Sequence, residues 1–237
     1  MSHLILIRHG QSEWNLEKKF TGWVDVDLTD QGKIEAEKAG NLIKENKILI
    51  DYYYSSLQLR ANKTLKIIQK ILGEKKDFVR AWQLNERHYG ALTGLNKAET
   101  KKKLGEEQFK KYRRSWDIPP PILEENSKYS STKDPLYKGL TNIPKTESLK
   151  NTYERVIPYY EKNIDKHLKQ NKNVIISAHG NTIRALGKKL FNITDKSISL
   201  LEIPTGNPLV IDFDISGKVL GAKYLDESRM TKIITNQ

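Results

Sequence analysis

Short, almost wholly apolar runs alternate along the chain with longer segments whose apolar positions recur every three or four residues. Runs of the first kind are typical of strands that are buried on both faces, and we predict such strands at residues 4–8, 52–55 and 174–177. Two closing strands are expected at residues 209–213 and 219–225, the second of them antiparallel or at an edge of the sheet.

The amphipathic segments between these runs predict helices. Thr29 is placed to cap the first helix, and Gly73 provides a stop for the second. Pro158 should kink the third or mark its true start. The helices after the first are expected at residues 58–72, 149–168 and about 182–190. Their clearest apolar faces consist of Ile34, Ala39, Leu42 and Ile43 in the first helix, and of Ala61, Leu65, Ile68 and Leu72 in the second.

Residues 105–147 follow neither pattern. With three consecutive prolines at 119–121, this stretch is expected to be an ordered excursion or a lid. Elsewhere strands alternate with helices, which predicts an α/β fold with a mostly parallel central sheet and helices on both faces. We therefore expect a single domain over residues 1–237 with a loop-rich insertion around 105–147.

Composition narrows the functional classes. The chain of 237 residues has no cysteine, which excludes disulfides, thiolate metal sites and a cysteine nucleophile. No apolar run approaches the roughly 20 residues that span a bilayer, and the first residues do not resemble a secretory signal, so a cytoplasmic protein without membrane partners is expected. For the lysines, the net charge of +12 indicates solvated helix faces more than an anionic partner, which would be either nucleic acid or a small phosphorylated metabolite.

Two histidine motifs follow two of the predicted strands, where ligands bind in parallel sheets. They are Arg8-His9-Gly10 and His179-Gly180. Arg60, in the first turn of the second helix, and Arg8 supply guanidinium groups that match phosphate oxygens in pairs, and helix N-termini also favour anions. The motifs therefore predict a cradle for a phosphoryl group.

The residues of this cradle suit phosphoryl transfer. A histidine has an ordinary pKa of about 6.5, and neighbouring arginines would keep His9 neutral and nucleophilic. His179 would then hydrogen-bond the transferring group, and Glu86 is the best candidate for moving the substrate proton.

Other readings of these residue types remain open. His9, His179 and Glu86 could ligate a metal, but a ring of arginines would repel a cation, so no metal is expected. His88 is either catalytic or orients its loop. His3 and His167 are expected at the surface.

The chain resembles the cofactor-dependent phosphoglycerate mutases of the histidine phosphatase superfamily over nearly its full length. The two histidine motifs are typical of the whole superfamily, whereas other segments are specific to the mutases. The resemblance rests on the segments 8–15, 20–23, 25–28, 84–92, 94–97, 113–114, 178–181 and 203–206.

The resemblance implies a reaction and a role for each matching residue. The family interconverts 3-phosphoglycerate and 2-phosphoglycerate in glycolysis and gluconeogenesis, is primed by 2,3-bisphosphoglycerate and needs no metal. By resemblance, His9 is the phosphohistidine nucleophile, Glu86 the proton donor and acceptor, and Arg8, Arg60 and His179 hold the phosphoryl group. The implied substrate-binding residues are Gly10, Gln11, Ser12, Glu13, Trp14, Asn15, Thr21, Gly22, Arg87, His88, Tyr89, Lys97, Arg113, Arg114, Gly180 and Asn181.

A mutase must hold a bisphosphorylated intermediate at both of its ends, and Lys97, Arg113 and Arg114 are expected to supply the second anion site. The proline-bearing stretch after Arg114 and the tail, residues 223–237, are hypothesised to close over the site; deleting the last ten residues should then favour phosphatase over mutase activity. Gln11 stands where many relatives carry Glu.

Three alternatives stay open at this point. A bisphosphoglycerate mutase or a broad-specificity histidine phosphatase would use the same fold and the same His9. A basic nucleic-acid-binding protein belongs to another class, but the arginines cluster with His and Glu and not with aromatic residues, so nucleic acid is not expected as a partner. Small phosphoglycerates are the expected ligands, and a homodimer or a homotetramer is compatible with the sequence.

Overall fold

A six-stranded sheet forms the centre of the computed structural model, which describes residues 1–234. Its strands lie in the order β3-β2-β4-β1-β5-β6. The neighbours from β3 to β1 are parallel, whereas β5 runs antiparallel to both β1 and β6. The prediction of a mostly parallel sheet is confirmed, with β6 antiparallel to its neighbour and at an edge. The strands are β1 (Ser2–Arg8), β2 (Tyr52–Ser55), β3 (Val79–Arg80), β4 (Val174–Ala178), β5 (Leu209–Phe213) and β6 (Val219–Tyr224).

Helices cover both faces of this sheet, as expected. Successive side chains of β1 alternate between the two sides: Ile5 and Ile7 pack with α2 and α3, whereas Leu4 and Leu6 pack with α6, α7 and α8. All four are fully or almost fully buried. The helices are α1 (Glu13–Leu16), α2 (Asp30–Glu45), α3 (Leu59–Leu72), α4 (Lys97–Leu104), α5 (Glu106–Arg114), α6 (Leu149–Asn163), α7 (Asp165–Lys169) and α8 (Gly180–Leu190).

The predicted capping residue of α2 and the predicted stop of α3 are confirmed. The Thr29 hydroxyl accepts a hydrogen bond from the backbone N–H of Gly32, which caps α2. Gly73 ends α3 in the left-handed region, with φ of 70°. The predicted apolar face of α2 is wrong in one position: Ile34 is 56% exposed, because the buried face is carried by small residues.

Pro158 does not mark the start of a helix. The helix α6 begins after Ser148, whose side chain forms a capping box with Asn151, and it continues through Pro158 to its end at Asn163. The predicted segment is therefore two helices, and the second, α7, carries the buried Leu168.

The predicted loop character of residues 105–147 is wrong for its first part, which forms α5. This helix has a single buried apolar residue, Phe109, so it shows no apolar stripe. Pairs one turn apart, Glu106–Lys110 and Glu107–Lys111, support it on the surface. The helix α4 and the two-residue strand β3 were also not predicted.

The rest of the insertion is held by a backbone contact with the segment after Glu86 and by a side-chain contact of its own. The carbonyl of Pro121 accepts from the backbone N–H of Ala91 at 2.8 Å, and Thr146 donates to the carbonyl of Pro120 at 2.7 Å. A Cβ on Gly90 would lie 2.1 Å from the Pro121 oxygen, so only glycine fits this turn.

The hypothesised C-terminal closure falls partly on residues 235–237, which lie outside the described residues. Before them, Arg229 donates to the carbonyl of Thr205 at 3.1 Å and Thr231 to that of Glu202 at 2.7 Å. Among residues 1–234, no helix has the length and apolar character that a bilayer crossing requires.

Candidate active site

The ends of two neighbouring strands bring the two histidines together. Strands β1 and β4 are parallel and in register, with Arg8 opposite Ala178, and the backbone N–H of His9 donates to the Ala178 carbonyl at 3.0 Å. The next residue along each strand is therefore His9 or His179. Both imidazoles are buried, and their ring centroids lie 5.0 Å apart.

His9 is held as a neutral imidazole with a defined tautomer. Its Nδ1 lies 2.7 Å from the carbonyl oxygen of Gly10, and because a carbonyl only accepts, Nδ1 carries the proton. The lone pair is then on Nε2. Burial, followed by the charges of Arg60 and Arg8, holds the pKa of His9 well below its usual value. His9 is thus unprotonated and able to act as a nucleophile.

Arg60 is fixed beside the nucleophilic atom. Its Nε donates to Nε2 of His9 at 3.3 Å, and its other nitrogens donate to the carbonyls of Val24 and Gly22 at 3.0 and 2.9 Å. These carbonyls hold the buried guanidinium without neutralising it. Its position in the first turn of α3 agrees with the sequence prediction.

Arg8 is anchored at one nitrogen and free at another. One terminal nitrogen donates to the carbonyl of Ile203 at 2.8 Å, whereas Nε is buried and has no partner among the described residues. A Cβ on Gly180 would lie 3.8 Å from this Nε, so the glycine leaves the space beside it open. An unpaired buried donor of this kind suits an anion.

His179 presents an analogous unpaired donor. Its Nε2 lies 2.8 Å from the Ser56 hydroxyl, which itself accepts from the backbone N–H of Gln58. When the Ser56 hydroxyl donates to Nε2, the imidazole proton lies on Nδ1. Nδ1 is buried and unpartnered within residues 1–234. Burial, then the charge of Arg60, holds the pKa of His179 well below its usual value.

The carboxyl group of Glu86 is oriented through one of its two oxygens. Oε1 accepts from the backbone N–H groups of Arg87 and Asn181 at 2.8 and 3.2 Å, and from Nδ2 of Asn181 at 2.9 Å. No donor from the described residues reaches Oε2. Since Glu86 lines the cleft beside His9, Oε2 is the oxygen able to exchange a proton with a ligand.

Cations also line the far end of this cleft. The cleft is small, with a volume of about 90 Å³. Lys97 donates to the carbonyl of Lys19 at 2.8 Å, and burial lowers the pKa values of Lys97 and Arg113. The predicted residues that line the cleft are Arg8, His9, Asn15, Thr21, Gly22, Arg60, Glu86, Tyr89, Lys97, Arg113, Arg114, Gly180 and Asn181.

Tyr89 links Glu86 to these cations. Its hydroxyl accepts from Nδ2 of Asn181 at 3.0 Å, and the Arg87 guanidinium lies 4.6 Å from the ring centre. Burial alone would raise the pKa of the phenol, but Arg87 and, more weakly, Lys97 lower it overall. Arg87 itself is buried behind Tyr89 and does not line the cleft, although two of its nitrogens have no partner in residues 1–234.

Five residues that the motifs suggested for the site do not line the cleft: Gly10, Gln11, Ser12, Glu13 and Trp14. Gln11 accepts from the Thr29 hydroxyl at 3.0 Å, and Ser12 caps α1. Trp14 packs edge-on against Tyr129, with ring centres 5.5 Å apart. Gly10 is pressed against Gly32, where a Cβ would lie 2.1 Å from the carbonyl oxygen, and Glu13 is exposed in α1.

His88 lies in the loop and not in the cleft lining. Its Nδ1 accepts from the backbone N–H of Gly90 at 3.1 Å, and its Nε2 lies 3.3 Å from the Ser131 hydroxyl. Burial lowers its pKa to about 4. Of the two roles that the sequence left open for His88, these contacts favour orientation of the loop.

Four cleft residues were not predicted: Lys19, Phe20, Arg184 and Glu202. Arg184 lies one turn after Gly180 in α8, so helical spacing places both residues on the same face. The sequence could therefore have predicted Arg184 as a cleft residue. Glu202 lies in an irregular segment, where no helix or strand periodicity predicts which way its side chain faces. Among the described residues, no three His, Cys, Asp or Glu side chains are grouped as a metal site requires.

Comparisons with known proteins identify the family. The sequence model of the histidine phosphatase superfamily (branch 1) matches residues 4–134 and 124–223. A 2,3-bisphosphoglycerate-dependent phosphoglycerate mutase from Pelagibacter ubique is 59% identical over 99% of both chains. One of the same name from Caulobacter vibrioides is 53% identical over 97% of both. A solved mycobacterial glucosyl-3-phosphoglycerate phosphatase shares the fold, with a TM-score of 0.70 and 17% identity over 94% of this chain and 97% of that one.

A buried histidine pair among arginines lies at the carboxyl ends of two parallel strands, an arrangement that suits a protein of phosphoryl transfer. The chain belongs to the histidine phosphatase superfamily and, within it, to the family of the 2,3-bisphosphoglycerate-dependent phosphoglycerate mutases. The resemblance seen in the sequence motifs is confirmed.

Proposed function

We propose that this protein interconverts 3-phosphoglycerate and 2-phosphoglycerate through a phosphohistidine at His9. The observation that carries the proposal is the pairing of a neutral His9, whose Nε2 lone pair faces Arg60, with a second group of cations in the same cleft. The names of the close relatives support the same reaction.

In the first half-reaction, 2,3-bisphosphoglycerate donates a phosphoryl group to Nε2 of His9. Arg8, Arg60 and Nδ1–H of His179 are placed to stabilise negative charge on the transferring oxygens. The departing glycerate oxygen takes a proton from Glu86. In the second half-reaction 3-phosphoglycerate occupies the site: its free 2-hydroxyl gives a proton to Glu86 and attacks the phosphohistidine, which forms 2,3-bisphosphoglycerate and frees Nε2 of His9. After this intermediate exchanges its ends, its 3-phosphoryl group passes to His9, the leaving oxygen takes the proton back from Glu86, and 2-phosphoglycerate departs.

The far cations distinguish a mutase from a phosphatase. Between the half-reactions the bisphosphorylated intermediate exchanges its ends, so its second phosphate and its carboxylate need a site away from His9. Lys97, Arg113 and Arg114 supply that site. A broad-specificity phosphatase or a bisphosphoglycerate mutase is the alternative, and all three activities would use His9.

The ligand requirements follow from this scheme. Two cationic ends fit 2,3-bisphosphoglycerate as the primer, and arginines beside both histidines disfavour a cation, so we infer a metal-independent reaction that persists in excess chelator. We also infer a cytoplasmic enzyme. For the oligomeric state, we expect either a homodimer or a homotetramer.

Isotope transfer tests the proposal. Labelled 2,3-bisphosphoglycerate should give an acid-labile, alkali-stable phosphoprotein, and His9→Ala should abolish the label. His3→Ala is the matched control, because His3 pairs with Asp212 at 2.7 Å away from the cleft and its loss should leave labelling intact. Comparing isomerisation of 3-phosphoglycerate with phosphate release and with bisphosphate synthesis separates the three activities. Absence of label in the unaltered protein, or loss of activity in chelator, would overturn the assignment.

A further inference from the structure

Glu202 and Glu86 are the two acidic side chains among the described residues that line the cleft, and the proposed reaction gives Glu202 no task. Its Oε1 lies 2.5 Å from a terminal nitrogen of Arg114, and its Oε2 lies 3.1 Å from a terminal nitrogen of Arg184. The carboxylate thus bridges two arginines from different helices, α5 and α8. A ligand carboxylate or phosphate would make the same bridge.

The two arginines need an anion between them. Arg184 is buried, and burial followed by repulsion from Arg114 lowers its pKa to about 10, while Glu202 acts in the opposite direction. Apart from Glu202, Arg184 donates to the neutral oxygens of Leu201 and Asn181 at 2.6 and 3.4 Å. A buried Arg114 nitrogen has no partner among the described residues. The pair therefore retains capacity for a further anionic oxygen.

The backbone and the side chain of Glu202 are held differently. The Thr231 hydroxyl donates to its carbonyl at 2.7 Å, which ties the backbone to the C-terminal segment. The side chain is 53% exposed. A half-exposed carboxylate is able to turn toward water at a small cost, because exposed ion pairs contribute little.

We propose that Glu202 is an internal competitor for the anionic group that the far end of the cleft binds. Its carboxylate occupies Arg114 and Arg184 whenever no substrate group does so, and it turns out to solvent when a substrate carboxylate or phosphate replaces it. Glu202 then weakens the hold of the far end on each ligand. In doing so it speeds the exchange of ends that the reaction requires. This inference rests on the proposed function for its kinetic part only, since competition with an anion does not depend on the reaction.

Glu202→Gln tests the competition, because it keeps the shape of the side chain and removes its charge. Glu107→Gln is the matched control, since Glu107 is an exposed carboxylate on α5 that pairs with Lys111 and does not line the cleft. With Glu202→Gln, the KM for 3-phosphoglycerate and the Kd for inorganic phosphate should each fall about fivefold. The kcat should fall as well, because release of the far end becomes slower. Glu107→Gln should change none of these values.

The outcomes separate the inference from the proposed function. Unchanged affinity in Glu202→Gln would overturn the inference, and so would weaker binding, which would make Glu202 a support that positions the arginines. Absence of isomerisation in the unaltered protein would contradict the proposed function but not this inference, since phosphate titration still measures the competition between Glu202 and an anion. Thermal unfolding of both variants checks that they are folded.

Discussion

The Nε of Arg60 donates a hydrogen bond to Nε2 of His9, the ring atom that carries the lone pair. The nucleophile therefore meets a permanent positive charge before any phosphate arrives. Proton uptake by His9 would place two cations in contact, so protonation is disfavoured by the group that binds the substrate anion. Nucleophile and anion site are one structural unit.

Arg60→Gln should raise the pKa of His9, because one cause of its depression is lost while burial, the larger cause, remains. As the solution is acidified, the variant should therefore lose phosphoenzyme formation at a higher pH than the unaltered protein does. Single-turnover labelling between about pH 5 and pH 8 measures this shift. Arg80→Gln, at an exposed arginine of β3, is the control. If labelling declined at the same pH in both variants, Arg60 would not be a cause of the low pKa of His9.

Glu86→Gln should slow phosphoryl transfer by about 10²- to 10⁴-fold, because the amide cannot exchange the substrate proton. The affinity for 3-phosphoglycerate should change little, since Asn181 still holds the side chain through its oxygen. Rapid-quench kinetics and ligand titration measure the two quantities. Glu99→Gln, on the exposed face of α4, should behave as the unaltered protein. Equal loss of rate and affinity would indicate a binding role for Glu86.

Stability should depend on His88 in acid. Its folded pKa of about 4 lies below the unfolded value of about 6.5, so the unfolded chain binds more protons between these pH values. The contribution of neutral His88 to the free energy of unfolding is complete above about pH 6.5. It is lost as the pH falls to about 4, and this loss amounts to about 3 kcal/mol. Urea unfolding across this window should show a flatter pH dependence for His88→Asn. Parallel curves for the two proteins would rule the effect out.

Gly10→Ala should destabilise the fold by about 1–3 kcal/mol or more, because its Cβ would lie 2.1 Å from the backbone oxygen of Gly32. Gly221→Ala is the control: nothing lies within 4 Å of a Cβ there. Denaturant midpoints of the two variants should differ clearly. Equal midpoints would mean that the Gly10–Gly32 contact relaxes at no cost.

The sequence predicted the meeting of the two histidines well, because each follows a clearly apolar strand and the carboxyl ends of neighbouring parallel strands lie at the same edge of a sheet. It predicted α5 badly, because a helix held by surface ion pairs and a single Phe109 has no apolar period to detect. Gln11 and Trp14 are close to His9 in sequence but do not line the cleft; Gln11 contacts Thr29 and Trp14 contacts Tyr129. Their role in substrate binding stays a prediction. Glu202 gave no periodic signal at all.

The rings of His9 and His179 lie 5.0 Å apart, close to the spacing of two adjacent strands, about 4.8 Å, because each residue follows one of two paired strands. The distance between the two histidines is therefore set by the sheet and not by the helices that form the far end. Over evolution, such a protein is free to exchange one acceptor molecule for another by altering α5 and the segment around Glu202, while its phosphoryl-accepting centre is inherited unchanged.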